Sequence, residues 1–60
     1  MKIPENGSLW SGTNSHELFR VLHTLEIDGQ IWVHYRKNSN DQEYSCYLES
    51  FLERFWETPV

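Results

Sequence analysis

Cysteine is almost missing from this chain. Cys46 stands alone, so no internal disulfide can staple the fold. A lone thiol suits a reducing compartment. Long apolar runs are missing as well, and none approaches the ~20 residues needed to cross a bilayer. No basic segment followed by an apolar run opens the sequence, so no signal peptide is read and a cytoplasmic location is expected. Asn6-Gly7-Ser8 matches the glycosylation triplet, which without a secretion signal is read as coincidence. Basic residues are scarce: five Lys/Arg stand against nine Asp/Glu, a net charge of −4. Nonspecific nucleic-acid affinity comes mainly from basic charge, so binding through a general phosphate field is disfavoured. A local basic spot, or a protein partner that is itself basic, remains compatible with this balance.

What the chain does have is aromatic residues, nine among sixty. A chain this short makes one domain, 1–60, and buries only ~60% of the surface its unfolded form exposes. Each aromatic ring compensates by burying a large area. Folding alone is compatible with this content, and so is a homodimer that hides more apolar surface. Residues 1–7 form a polar lead with Pro4 and Gly7 as breakers and are expected to be a loose terminus. Ser8-Leu9-Trp10 reads as a short first strand, and Ser11-Gly12-Thr13-Asn14-Ser15 as a loop of turn formers.

From His16 to Ile27 the pattern has period two, and Asp28-Gly29 then signals a hairpin. Two loop lengths compete. A two-residue loop places Leu25 opposite Trp32 and His23 opposite His34. A three-residue loop, with Gly29 at a bulge, pairs Leu25 with Ile31, His23 with Val33 and Val21 with Tyr35. A one-residue slip turns every side chain over, and the second register gathers Phe19, Val21, His23, Leu25, Ile31, Val33 and Tyr35 on one face, so it is the register expected.

Asn38-Ser39-Asn40-Asp41 makes the next turn. Closing it as a four-residue loop pairs Tyr35 with Tyr44, Val33 with Cys46 and Ile31 with Leu48 on the inner face. The outer face then gains an opposite-charge pair, Arg36 with Glu43, and an aromatic pair, Trp32 with Tyr47, each worth ~0.2–1 kcal/mol across strands.

The C-terminal segment supports two readings. Leu48, Phe51, Leu52, Phe55 and Trp56 form a helical stripe, and Ser50-Phe51-Leu52-Glu53 fits a capping box. The preferred reading is one helical turn at 50–54 followed by a last strand, Phe55 to Thr58, paired with the Trp10 strand, because an open three-strand sheet would leave two bare edges. The alternative is a three-stranded antiparallel sheet plus a longer C-terminal helix.

A turn-rich start, a long strand, an Asp-Gly hairpin, a second hairpin and a short turn before a final strand resemble a small SH3-like barrel. The phrases Ile31-Trp32-Val33-His34-Tyr35 and Tyr44-Ser45-Cys46-Tyr47-Leu48-Glu49-Ser50-Phe51-Leu52-Glu53-Arg54-Phe55 resemble short bacterial and prophage-encoded proteins of unknown function. The likeness covers residues 8–58. It implies a mainly β fold of about five antiparallel strands with a helical turn near the C-terminus, and it implies no activity. The acidic, tyrosine-rich signature of proline-binding SH3 domains is missing, as is the glycine-centred motif of ribosome-associated barrels.

The residues left on the outer face are Trp32, Tyr47, His34 and Arg36, with Leu22 and Thr24 beside them. Aromatics next to arginine suit protein hot spots and can also stack bases. The plain structural reading is that Phe55 or Trp56 of the C-terminal segment covers Trp32. His16, His23, His34 and Cys46 lack the close-spaced pairs of a zinc site, and the chosen register turns His23 and Cys46 inward and His34 outward, so no metal or other cofactor is expected. Cys46 beside Val33, Tyr44 and Leu48 reads as a core residue, not a nucleophile. Glu49, Glu53 and Glu57 read as a solvated stripe on a helix, and no set of residues forms a catalytic motif. The expectation is a noncatalytic module that binds a protein partner or itself through Trp32, Tyr47, His34 and Arg36. The alternative is an accessory nucleic-acid-binding protein using the same aromatics with Arg36 and Lys37.

Overall fold

A computed structural model describes residues 3–13 and 17–58. The elements are β1 (Leu9–Gly12), β2 (Leu18–Ile27), β3 (Gln30–Lys37), β4 (Glu43–Tyr47), α1 (Leu48–Arg54) and β5 (Phe55–Glu57). The strands form one open antiparallel sheet in the order β4-β3-β2-β1-β5. The mainly β reading with about five strands and a short C-terminal helix is therefore what the fold shows, in place of a three-stranded sheet with a long helix.

The β2–β3 hairpin combines the two registers that the sequence set in competition. Its tip is a two-residue turn, with Ile27 opposite Gln30, Glu26 opposite Ile31 and Leu25 opposite Trp32. Asp28 and Gly29 have φ of 51° and 79°, both positive, as a type I′ turn demands. The root instead keeps the core-building pair, Val21 opposite Tyr35. The two halves are reconciled by a bulge at Leu22, where the register shifts between Val21 and His23. The expected three-residue loop is thus corrected. Turn chemistry decides the tip, hydrophobic burial decides the root, and one extra residue absorbs the difference.

The correction moves residues between faces. Leu25 and His23 were expected inside, but they register with Trp32 and His34 and so lie on the outer face. Thr24, expected outside, registers with Val33. Leu25 and Ile27 are accordingly exposed.

The second hairpin follows the expected register, with Trp32 opposite Tyr47, Val33 opposite Cys46, Tyr35 opposite Tyr44 and Arg36 opposite Glu43. Its four-residue loop closes through Lys37 N–H to Gln42 C=O at 2.8 Å. The expected Ile31–Leu48 pair does not form, because β4 stops at Tyr47 and Leu48 opens the helix.

Helix α1 starts two residues before the expected Ser50. Its N-cap is Tyr47 with no side-chain cap, so the capping box is not used. Burial explains the earlier start: Leu48 and Phe51 both enter the core, and Leu52 packs against it. Glu49 in the first turn and Arg54 in the last complement the helix dipole. The chain then becomes extended, and β5 pairs with β1 as expected, with Trp10 opposite Glu57, Ser11 opposite Trp56 and Gly12 opposite Phe55. Ser11 and Gly12 therefore belong to a strand, not to the loop expected there. Their pairing covers an edge of β1 that a longer helix would have left bare.

The core contains Trp10, Val21, Val33, Tyr35, Leu48, Phe51 and Phe55, and Phe51 and Val33 are fully enclosed. Phe51 sits edge-on to Trp10 at 5.0 Å and to Tyr35 at 5.3 Å between ring centroids. Phe55 meets Phe19 at 4.9 Å, Tyr35 at 5.2 Å and Phe51 at 4.7 Å. Edge-on and tilted aromatic contacts of this kind add ~0.5–1.5 kcal/mol each beyond area burial. Buried Trp10 donates its indole N–H to Ser8 Oγ at 2.9 Å.

The lead expected to be loose is held at its C-terminal end. Gly7 N–H donates to Val21 C=O at 2.7 Å, Val21 N–H donates to Ser8 C=O at 2.9 Å, and Pro4 is buried.

Candidate functional site

The outer face of β2, β3 and β4 carries three cross-strand rows. Leu25, Trp32 and Tyr47 form the first, His23, His34 and Ser45 the second, and Arg20, Arg36 and Glu43 the third. The four residues expected to form a binding surface, Trp32, Tyr47, His34 and Arg36, therefore do share one face. Trp32 and Tyr47 stack at a tilt with centroids 4.3 Å apart. Tyr47 and Leu25 are each 46% exposed, and Trp32 between them is half-buried.

The C-terminal segment does not supply the expected cover for Trp32. Phe55 is committed to the core against Phe19, Tyr35 and Phe51. Trp56 points away from that core and is 63% exposed on the edge strand β5. The rings resembled one helical stripe in the sequence, and the switch from helix to strand at Phe55 separates them.

His23 and His34 form a parallel stack, with ring centroids 4.5 Å apart and planes at 14°. The expectation that His23 points inward, away from His34, is overturned by the two-residue turn. The turn signal was visible in Asp28-Gly29, but the bulge that permits it has no local signature. His16 lies outside the described residues. Among the described residues no three His, Cys, Asp or Glu side chains gather into a metal-binding group.

The cations beside this face have anionic neighbours. Arg36 Nε lies 3.6 Å from Asp41 Oδ1, not against the expected Glu43, and Lys37 Nζ lies 3.7 Å from Glu17 Oε1. Such surface pairs contribute ~0–1 kcal/mol. Their consequence is electrostatic: the positive charge at the hairpin end is partly neutralised where a phosphate would have to sit. Arg20 is engaged separately, donating to Gly7 C=O at 2.7 Å.

Cys46 is half-buried and packs against the core. Burial pushes its thiol pKa up, opposed by the Tyr35 hydroxyl hydrogen bond and by Arg54. Burial likewise raises the Tyr35 phenol, reinforced by Cys46. A thiol held in its protonated form is a poor nucleophile. Glu49 and Glu53 are exposed on α1, while Glu57 lies in β5, so the three do not share one helical stripe.

The surface has shallow depressions. One of about 420 Å³ lies between residues 5–9 and Arg20, Glu57 and Thr58. Another, of about 200 Å³, lies beside the Gly29 turn, next to Leu48 and Glu49. Neither brings a nucleophile, a base and an oxyanion donor together. Among the described residues, no helix is long and apolar enough to cross a membrane. Comparisons with protein-family models, with curated proteins and with solved structures find no match.

Proposed function

We propose that this chain is a noncatalytic association module, binding a protein partner or a second copy through the outer face centred on Trp32 and Tyr47, flanked by His34 and Arg36. One observation carries the reading. Leu25, Trp32 and Tyr47 form a continuous apolar row across three strands, while Phe55 is committed to the core and Trp56 lies exposed on β5. Aromatic residues flanked by arginine are the composition of interface anchors. Grouped apolar exposure on a small domain marks a surface that associates.

The same proposal takes the fold to be of SH3-like type. The sheet order and the short helix between β4 and β5 support it. The likeness to short bacterial and prophage-encoded proteins rests on the phrasing of residues 31–35 and 44–55. The cytoplasmic setting rests on the lone cysteine.

The test is the solution mass of the purified chain over a wide concentration range, alongside the Trp32→Ala variant. A dimer that Trp32→Ala dissociates, with an unchanged circular dichroism spectrum, supports the self-association arm. A wild type that stays monomeric removes that arm and leaves a foreign partner. Loss of the folded spectrum in Trp32→Ala would mean that the row is structural, and would overturn the reading.

A further inference from the structure

We propose that His23 and His34 form a two-histidine chelating site for a divalent transition ion, binding copper(II) more tightly than nickel(II) or zinc(II). The inference concerns the row beside Trp32 and does not depend on whether the face binds a partner. The two residues are direct register partners on adjacent strands. Their rings lie parallel with centroids 4.5 Å apart, His23 exposed and His34 half-buried. Two imidazole nitrogens that share one ion, each at ~2.0–2.1 Å from it, must stand about 3 Å apart. Imidazole lone pairs lie in the ring planes, so the rings must leave the stack by rotating about their side-chain torsions until one nitrogen of each points at the ion, while the register of the two strands holds the pair together.

The sheet holds both ligands on rigid elements, so once one imidazole is bound the second binds intramolecularly. Imidazole donors suit copper, nickel and zinc, and affinity for such donors rises from nickel to copper and falls again at zinc. Among the described residues no carboxylate or thiol joins the pair as a third ligand. The remaining positions on the ion fall to water, with the Ser45 side chain next in the row. Arg20 and Arg36 in the neighbouring row add positive charge, which weakens the site without blocking it.

The experiment titrates the full chain with nickel(II) chloride and separately with copper(II) chloride, in a noncoordinating buffer, by calorimetry. His23→Gln and His34→Gln should each weaken binding by at least about tenfold, the loss of a chelate partner. His16→Gln should leave it unchanged. If either variant loses its folded spectrum, wild-type resonances decide: substoichiometric copper(II) should broaden the His23 and His34 ring signals together. Binding that survives both substitutions, broadening of one ring alone, broadening centred on His16 or the chain terminus, or no binding in the wild type would overturn the proposal.

Discussion

Val21 and His23 are two residues apart on one strand yet face opposite sides of the sheet. In a regular strand they would share a face. Val21 registers with Tyr35 and His23 with the adjacent His34, and the bulge at Leu22 accounts for the switch. Everything on the outer face beyond this point follows from it: the histidine stack, the exposure of Leu25, and the Leu25–Trp32–Tyr47 row.

The bulge makes a direct prediction. Removing Leu22 leaves a regular ladder in which Val21 still meets Tyr35 and His23 still meets His34. The deletion should therefore retain both pairs while losing the local bend. Cross-strand contacts between the His23 and His34 rings, seen by nuclear magnetic resonance, check it.

The turn itself should respond to backbone chemistry. Gly29 has φ of 79° and nothing within 4 Å of the place a Cβ would occupy, so Gly29→Ala acts through backbone strain alone. A cost of roughly 1–2 kcal/mol is expected. Asp28→Asn should be neutral or slightly stabilising, because asparagine favours the type I′ turn. Urea midpoints of both variants measure the difference.

Neighbouring aromatics of the C-terminal segment should behave in opposite ways. Phe51 is fully buried against Trp10, Tyr35 and Phe55. Phe51→Ala should cost about 3–5 kcal/mol, which can unfold a domain of this size. Trp56→Ala, at an exposed position, should change stability by no more than about 0.5 kcal/mol. Thermal unfolding of the two variants separates them.

Tyr35 and Cys46 should make the fold sensitive to alkali. Both pKa values are raised in the folded state, chiefly by burial. The native chain holds these protons more tightly than the unfolded chain, so their contribution is fully present below the ordinary values. It is lost as pH rises past the ordinary thiol value of 9.0 and then through the raised native one. The phenol follows above 10.0. Cys46→Ala should flatten the fall in stability above pH 9.0, and urea unfolding at stepped pH measures it.

Local sequence determined much of this protein. Turn formers at 28–29 and 38–41 placed both hairpin turns, and the alternation around Val33 and Tyr35 set the β3–β4 register down to the Trp32–Tyr47 and Arg36–Glu43 pairs. The return of the chain to the Trp10 strand was legible because bare sheet edges are costly. The turns and the β3–β4 register depend on neighbours in sequence or on one hairpin, whereas the return to Trp10 was read from the cost of an unpaired edge.

Only the tertiary structure decided how conflicting local demands were met. The Asp28-Gly29 turn and the burial of Val21 against Tyr35 require registers one residue apart, and no local rule says which yields. A bulge satisfies both, and so sends His23 and Leu25 to the outer face. Likewise, Phe55 and Trp56 read as one stripe until pairing with β1 imposed period two, drawing Phe55 into the core and leaving Trp56 exposed. Composition and spacing state which residues want burial. Which of them obtain it depends on contacts between segments far apart in the chain.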